Sequence, residues 1–393
     1  MKLPTRAAIL IALALFAAGA AQAQAFSDSE TELILQHGPW PSQWEKDASN
    51  AVSGQAAAIE FGRRLFFEQR LSGNAKLSCA SCHIPEKNWA DGRVTGLGKA
   101  LLERNTPSLL NVRLQRWFAW DGASDSLWAQ SLRALLNPRE MAASEAGVAA
   151  LLRRDRGLAS DYRKVFGAPP ARDDEVLLVH IGKALAAFQE TLNSERTSFD
   201  DFRDALARGD TRAAAAYPPA AQRGLRLFIG KAACNLCHYG PRFTHGEFAD
   251  IGIKHFTRDR QVDSGRHGGV RELLASRLNL FGPYNDDPTR ANAVATRHVV
   301  LDHRNWGEFR VPSLRQAVFT APYMHHGRLA SLCDVVRHYS EIDENRLHGE
   351  GERVLRALRL SEDEIADLVA FLASLSTPIG DIKQAAVHCR KRE

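Results

Sequence analysis

Two short segments restrict what this chain can fold into more than anything else in it: Cys79-Ala80-Ser81-Cys82-His83 and Cys234-Asn235-Leu236-Cys237-His238. Each sets two thiols and an imidazole side by side. A chain of this composition would show roughly 0.003 such matches by chance, so two are not accidental. The pattern attaches haem. Its thiols add to the two vinyl groups, and the adjacent imidazole is thereby delivered to the iron. Cys79, Cys82 and His83 are expected to hold one haem c, and Cys234, Cys237 and His238 a second.

The surroundings of the motifs also repeat. Gly62-Arg63-Arg64-Leu65-Phe66 precedes the first, and Gly224-Leu225-Arg226-Leu227-Phe228 the second. A glycine inside a helix costs about 1 kcal/mol against alanine, so close approach of another backbone is expected at both. Far downstream of each motif lies an amphipathic helix. One carries Leu177, Ile181, Leu185, Phe188 and Leu192 after Asp173 and Asp174. The other starts with the capping box Ser361-x-x-Glu364 and carries Ile365, Leu368, Val369 and Leu372.

That order, occurring twice, predicts a mainly α protein of two cytochrome c-type domains, with long loops and little or no sheet. The expected boundaries are 26–211 and 212–393, with Pro218-Pro219 marking the seam. The stretch from Asp263 to Trp306, rich in Gly, Asn, Asp and Arg, reads as a long loop wrapping a large flat cofactor.

With 393 residues and 45% hydrophobic composition, the chain can bury two ordinary cores. The formal net charge of +5 is mild, and no Lys/Arg cluster interleaved with aromatics points to nucleic acid. Residues 1–25 read as a cleavable export signal: Lys2 and Arg6, then the apolar Ala7 to Ala18, then small residues around Ala23. The apolar run is too short to span a bilayer, and no later segment is long enough. The mature chain is expected in the periplasm without a membrane span. Cys333 and Cys389 remain outside the motifs, and whether they pair is open. Of three methionines, only Met141 and Met324 survive removal of the signal, so a pair of His/Met electron carriers would need both as ligands.

The sequence resembles the bacterial di-haem cytochrome c peroxidase family, including its MauG branch. The resemblance rests on "RLFFEQRLSGNAKLSCASCH", "RNTPSLLN", "FAWDGASDSLWAQSL", "NPREM" and "FRVPSLRQAVFTAPYMHHG". It implies that Trp120 lies between the two haems and that Gln130 and Glu140 stand over the first iron. A carboxylate there moves a proton between the peroxide oxygens. It also implies that Asn105, Thr320 and Pro322 bind one calcium ion, through oxygens suited to a hard cation.

Members needing reductive activation carry a blocking histidine after the first motif, whereas residues 84–179 contain none. The first iron is therefore expected to be open. At the second, Tyr339 is expected as axial ligand, with Met324 and His338 as alternatives. Leu332, Val335, Val336 and Tyr339 also form one helical stripe, which by itself reads as core. Ala232 and Ala134 depart from MauG, which has a tryptophan and a proline there.

The expected activity is reduction of hydrogen peroxide at the N-terminal haem, with electrons relayed through the C-terminal one. A small cytochrome or cupredoxin is the expected donor. A MauG-like oxidase acting on a partner protein, and a non-enzymatic electron carrier, are the alternatives.

Overall fold

The computed structural model describes residues 26–253, 256–257, 260–351, 354–377 and 389; the expected export signal lies outside them. Among these residues the chain forms α1 (Asp28–Leu35), α2 (Ala56–Phe66), α3 (Leu127–Leu136), α4 (Glu145–Arg154), α5 (Arg156–Phe166), α6 (Asp174–Gln189) and α7 (Ser198–Ala207). Then come α8 (Thr211–Ala215), α9 (Pro219–Ile229), α10 (Arg266–Ala275), α11 (Val294–Arg297), α12 (Leu332–Ser340) and α13 (Glu362–Ser374). The only sheet among them is an antiparallel ribbon of β1 (Phe248–Ala249) and β2 (Phe309–Arg310). The mainly helical expectation holds.

Local chemistry sets the ends of the two central helices. The Asp173 carboxylate accepts the Val176 N–H at the start of α6. Ser361 and Glu364 form the expected capping box on α13. α6 is apolar on nearly every side and accordingly buried on nearly every side.

Both helices are crossed at a glycine. A Cβ at Gly62 would stand 1.9 Å from the Ala184 carbonyl oxygen of α6, and one at Gly224 would stand 1.9 Å from the Asp367 carbonyl oxygen of α13. Phe188 and Phe371 come next, at 3.0 and 2.9 Å. The same crossing is built twice, and in both places only a residue without a side chain permits it.

Two cores result. The first gathers Phe61, Leu65, Trp128, Leu132, Ile181 and Leu185. The second gathers Phe199, Leu225, Phe228, Phe243, Leu368 and Phe371, and it also takes in Ile34, Phe202 and Ala205. The packing therefore divides the chain differently from a cut at 211/212. α1 and α7 precede that cut yet turn their apolar sides to the second core, where the Phe199 ring meets Phe243 at 5.1 Å and Phe371 at 5.9 Å. Composition marks where a linker runs, not which core a helix faces. Cys333 of α12 is disulfide-bonded to Cys389, which ties the far end of the chain to the second core.

The stretch from Asp263 to Trp306 corrects its reading as loop, since it contains α10 and α11. Its glycines do not all serve as breakers. Gly269 lies inside α10, where a Cβ would be 2.1 Å from the Asp121 carbonyl oxygen. That contact with the first half of the chain is invisible to periodicity.

The halves interlock reciprocally. The Asn105 N–H donates to the His325 carbonyl, and the Arg310 N–H donates to the Trp120 carbonyl, each at 2.8 Å. Asn105 and Arg310 each stand two residues before the proline of a Pro-Ser-Leu segment, Pro107 or Pro312.

Candidate haem-binding sites

In each C-x-x-C-H segment a 3-10 turn starts at the first cysteine and closes so that the histidine N–H donates to the first cysteine's carbonyl, at 2.9 Å both times. The imidazole is then oriented by the loop that follows. His83 Nδ1–H donates to the Trp89 carbonyl at 3.0 Å, and His238 Nδ1–H to the Phe243 carbonyl at 2.9 Å. Trp89 and Phe243 both sit in the left-handed region, with φ of 59° and 54°, which turns each carbonyl inward. Engaging Nδ1 leaves Nε2 as the lone pair each ring offers. Burial keeps both rings neutral, lowering His83 and bringing His238 down to about 4.

The side chains therefore fit two haem c groups. Among the described residues no three His, Cys, Asp or Glu side chains cluster as a further metal site.

On the first site, Glu140 follows the turn that ends α3. A loop links it to the motif: Cys82 Sγ faces the Leu97 carbonyl at 3.6 Å, and the Lys99 N–H donates to the Glu140 carbonyl at 2.8 Å. Burial pushes the Glu140 carboxyl above the usual range, while Arg133 and a 2.8 Å hydrogen bond from Asn137 Nδ2 oppose the rise. Gln130, on α3, has a buried amide oxygen without a hydrogen-bond partner in the protein, the kind of unmade bond that a bound group satisfies. Met141 packs in the first core.

Trp120 stands where the halves interlock. Its Nε1–H donates to the Asn105 carbonyl at 2.8 Å, so this side chain and its own backbone are tied into both halves. The calcium candidates come from adjoining segments. Asn105 Nδ2 donates to the Arg93 carbonyl, leaving Oδ1 as the side-chain oxygen it can offer. Thr320 Oγ1 donates to the Ala317 carbonyl, and Pro322 follows a cis peptide.

On the second site, Tyr339 lies near the end of α12. Its hydroxyl makes no hydrogen bond among the described residues. Burial raises the phenol above its usual range. His338 Nε2 is engaged by the Ile251 carbonyl at 2.8 Å. Met324 sits in a tight turn at φ 69°.

Sequence reasoning missed a register relationship. α3 is capped by Ser126 and α12 by Ser331, each after a turn closed by an isolated bridge, Phe118 to Ser124 and Tyr323 to Leu329. Along that repeat Ala119 corresponds to Met324, Trp120 to His325 and Ala134 to Tyr339. The signal was present as two Ser-capped segments following Phe-x-x-x-Gly and Tyr-x-x-x-Gly. It also missed the carbonyls of Trp89 and Phe243, which have no side-chain signature.

Two covalent haem sites on twin helical cores define a di-haem c-type protein. Residues 56–208 match the family model described as di-haem cytochrome c peroxidase. The chain is 36% identical over 319 residues to methylamine utilization protein MauG of Methylorubrum extorquens, covering 81% of this chain and 77% of that one. It is 32% identical over 333 residues to cytochrome-c peroxidase IdrP2 of a Pseudomonas species, covering 83% of both chains. A crystallised MauG-like protein associated with microbial copper homeostasis aligns with TM-score 0.64 at 26% identity, over 86% of this chain and 95% of that one. The chain belongs to the di-haem cytochrome c peroxidase family, and it is an oxidoreductase that carries two haem c groups.

Proposed function

We propose that this protein is a periplasmic enzyme that reduces hydrogen peroxide at its N-terminal haem, with electrons entering through the C-terminal haem. The net reaction consumes two electrons and two protons per peroxide and yields two waters. The observation that carries this reading is the unequal filling of one helical register. Ala134, a methyl group, stands in the first half where Tyr339 stands in the second. Gln130 and Glu140 accompany the small residue.

Haem iron, when bound, supplies the centre at which peroxide is reduced. Glu140, whose carboxyl burial raises, takes the proton from the inner peroxide oxygen and returns it to the outer one. Gln130 orients the substrate by hydrogen bonding. Trp120, fixed to both halves, carries the electron between them. Tyr339 closes the second site. Its phenol is raised by burial, so the anionic form requires the positive charge of a metal beside it. Asn105, Thr320 and Pro322 complete the reading as a calcium site at the seam, and a small cytochrome or cupredoxin serves as donor.

A protein-modifying oxidase is the second reading, favoured by the 36% identity to MauG. Against it, position 232 carries a methyl group packed in the second core, so that position offers no aromatic ring to a partner. The deciding experiment is electron paramagnetic resonance of the resting protein. One high-spin and one low-spin ferric signal is the expected outcome; two low-spin signals would overturn the enzyme reading in favour of an electron carrier.

A further inference from the structure

We infer that Arg310 and Arg242 hold the propionate groups of the haem anchored by Cys234, Cys237 and His238. A guanidinium taken out of water needs carboxylates, carbonyls or aromatic faces around it. Arg104, Arg266 and Arg315 have them. Arg315 forms a two-pronged pair with Asp200 at 2.8 and 3.0 Å. Arg104 lies between Asp121 and Asp263. Arg266 covers the Phe248 and Trp117 rings, at 4.1 and 4.5 Å from their centroids, and donates to the Gly122 carbonyl.

Arg310, which is buried, and Arg242, which is half-buried, are short of them. Arg310 is 5% exposed and engages only its Nε, with the Ala119 carbonyl at 3.2 Å. The Arg242 side chain makes no hydrogen bond, and neither residue has an ion pair among the described residues. Burial, with Arg116 for Arg242 and Arg242 for Arg310, brings both down to about 10. Glu247, whose carbonyl accepts the Val311 N–H, does not relieve them, because its carboxylate pairs with Arg116 at 3.2 Å and accepts the Trp117 Nε1–H at 2.9 Å. Two desolvated cations thus lie close enough to repel, with one carbonyl oxygen between them. The missing partner is anionic.

Position identifies that anion. Arg242 belongs to the loop between His238 and Phe243, whose carbonyl orients the His238 ring. Arg310 stands two residues before Pro312, whose carbonyl also faces that ring. Haem carries two carboxylates, and arginine pairs with carboxylate through charge-assisted forked hydrogen bonds. Arg310 has a second hold, since its N–H takes the Trp120 carbonyl and its Nε the Ala119 carbonyl. The residue that anchors a propionate therefore also fixes Trp120 at the seam.

The test uses the holoprotein with two haems per chain, counted first as the pyridine haemochrome. Arg310→Gln and Arg242→Gln should each shift a propionate-bending band in resonance Raman spectra. Each should also lower the midpoint potential of the low-spin haem, because a nearby cation favours the reduced state. Arg310→Lys should keep the potential while moving the band. Unshifted bands and potentials in both Gln variants, or a shift confined to the high-spin haem, would overturn the inference. If Arg310→Gln fails to retain the second haem, Arg242→Gln carries the same test. Telling the haems apart by spin rests on the function proposed above. Two haems of like spin would refute that reading, while the Raman band would still decide on the arginines.

Discussion

Ala134 and Tyr339 occupy the same register in the two halves of the chain, each the same distance past the serine that caps its helix, Ser126 or Ser331. The turns leading into those helices match as well, down to the left-handed residues Ala119 and Met324 and the glycines Gly122 and Gly327. A duplicated frame therefore holds a methyl group on one side and a phenol on the other. Symmetry of backbone with asymmetry of side chain is the means by which two identically anchored haems can differ.

Replacing that phenol tests the asymmetry. Tyr339→Phe should change the spectrum of the low-spin haem and leave the high-spin one as it was, read by electron paramagnetic resonance and optical absorption. An unaltered low-spin signal would transfer the ligand role to Met324, because His338 Nε2 is already engaged by a carbonyl.

Glu140 should set the acid limb of the peroxide reaction. Burial raises its carboxyl, so as pH falls the base form is lost earlier than for an exposed glutamate. The second-order rate with peroxide is expected to drop on the acid side at a pH above the ordinary carboxylate range. Arg133 opposes that rise, and Arg133→Met should move the limb to still higher pH. Glu140→Gln should slow peroxide cleavage by about 10²–10⁴-fold and abolish the limb. Stopped-flow kinetics across pH measures all three.

The helix crossings make Gly62 and Gly224 intolerant of any side chain. Gly62→Ala or Gly224→Ala forces a Cβ against a carbonyl oxygen, and each should cost about 1–3 kcal/mol, the range for overpacking. Urea unfolding of the holoprotein gives the comparison. Gly167, where nothing lies within 4 Å of the built Cβ, is the control for steric contact, although its φ of 70° adds a backbone cost of its own.

Glu190 should impose a pH dependence on stability unrelated to catalysis. Burial lifts its carboxyl from 4.5 to about 7, while Ser53 Oγ donates to it at 2.7 Å. The folded state holds its proton more tightly than the unfolded one. Its stabilising contribution is complete below pH 4.5 and disappears as pH rises through about 7. Glu190→Gln should flatten that dependence and raise stability at pH 8 by roughly 1–3 kcal/mol. Unfolding midpoints at pH 5 and pH 8 provide the check, and an unchanged pH slope would remove Glu190 from the account.

Covalent chemistry and local caps were written in the sequence. Cys79, Cys82, His83 and their second set announce haem attachment by spacing alone. Asp173, Ser361 and Glu364 mark where α6 and α13 begin, and Gly62 and Gly224 warn of a close crossing. These depend on residues near one another along the chain, so a one-dimensional reading suffices. The three-dimensional fold settled the rest. The carbonyls that orient His83 and His238 lie only six and five residues on, aimed by left-handed turns that no side chain announces. The membership of α1 and α7 in the second core and the reciprocal bonds of Asn105 and Arg310 join segments far apart in sequence. So does the burial that raises Glu140 and strands Arg242 and Arg310 without a counter-ion. Desolvation depends on what surrounds a group in three dimensions, and no pattern of neighbours along the chain encodes it.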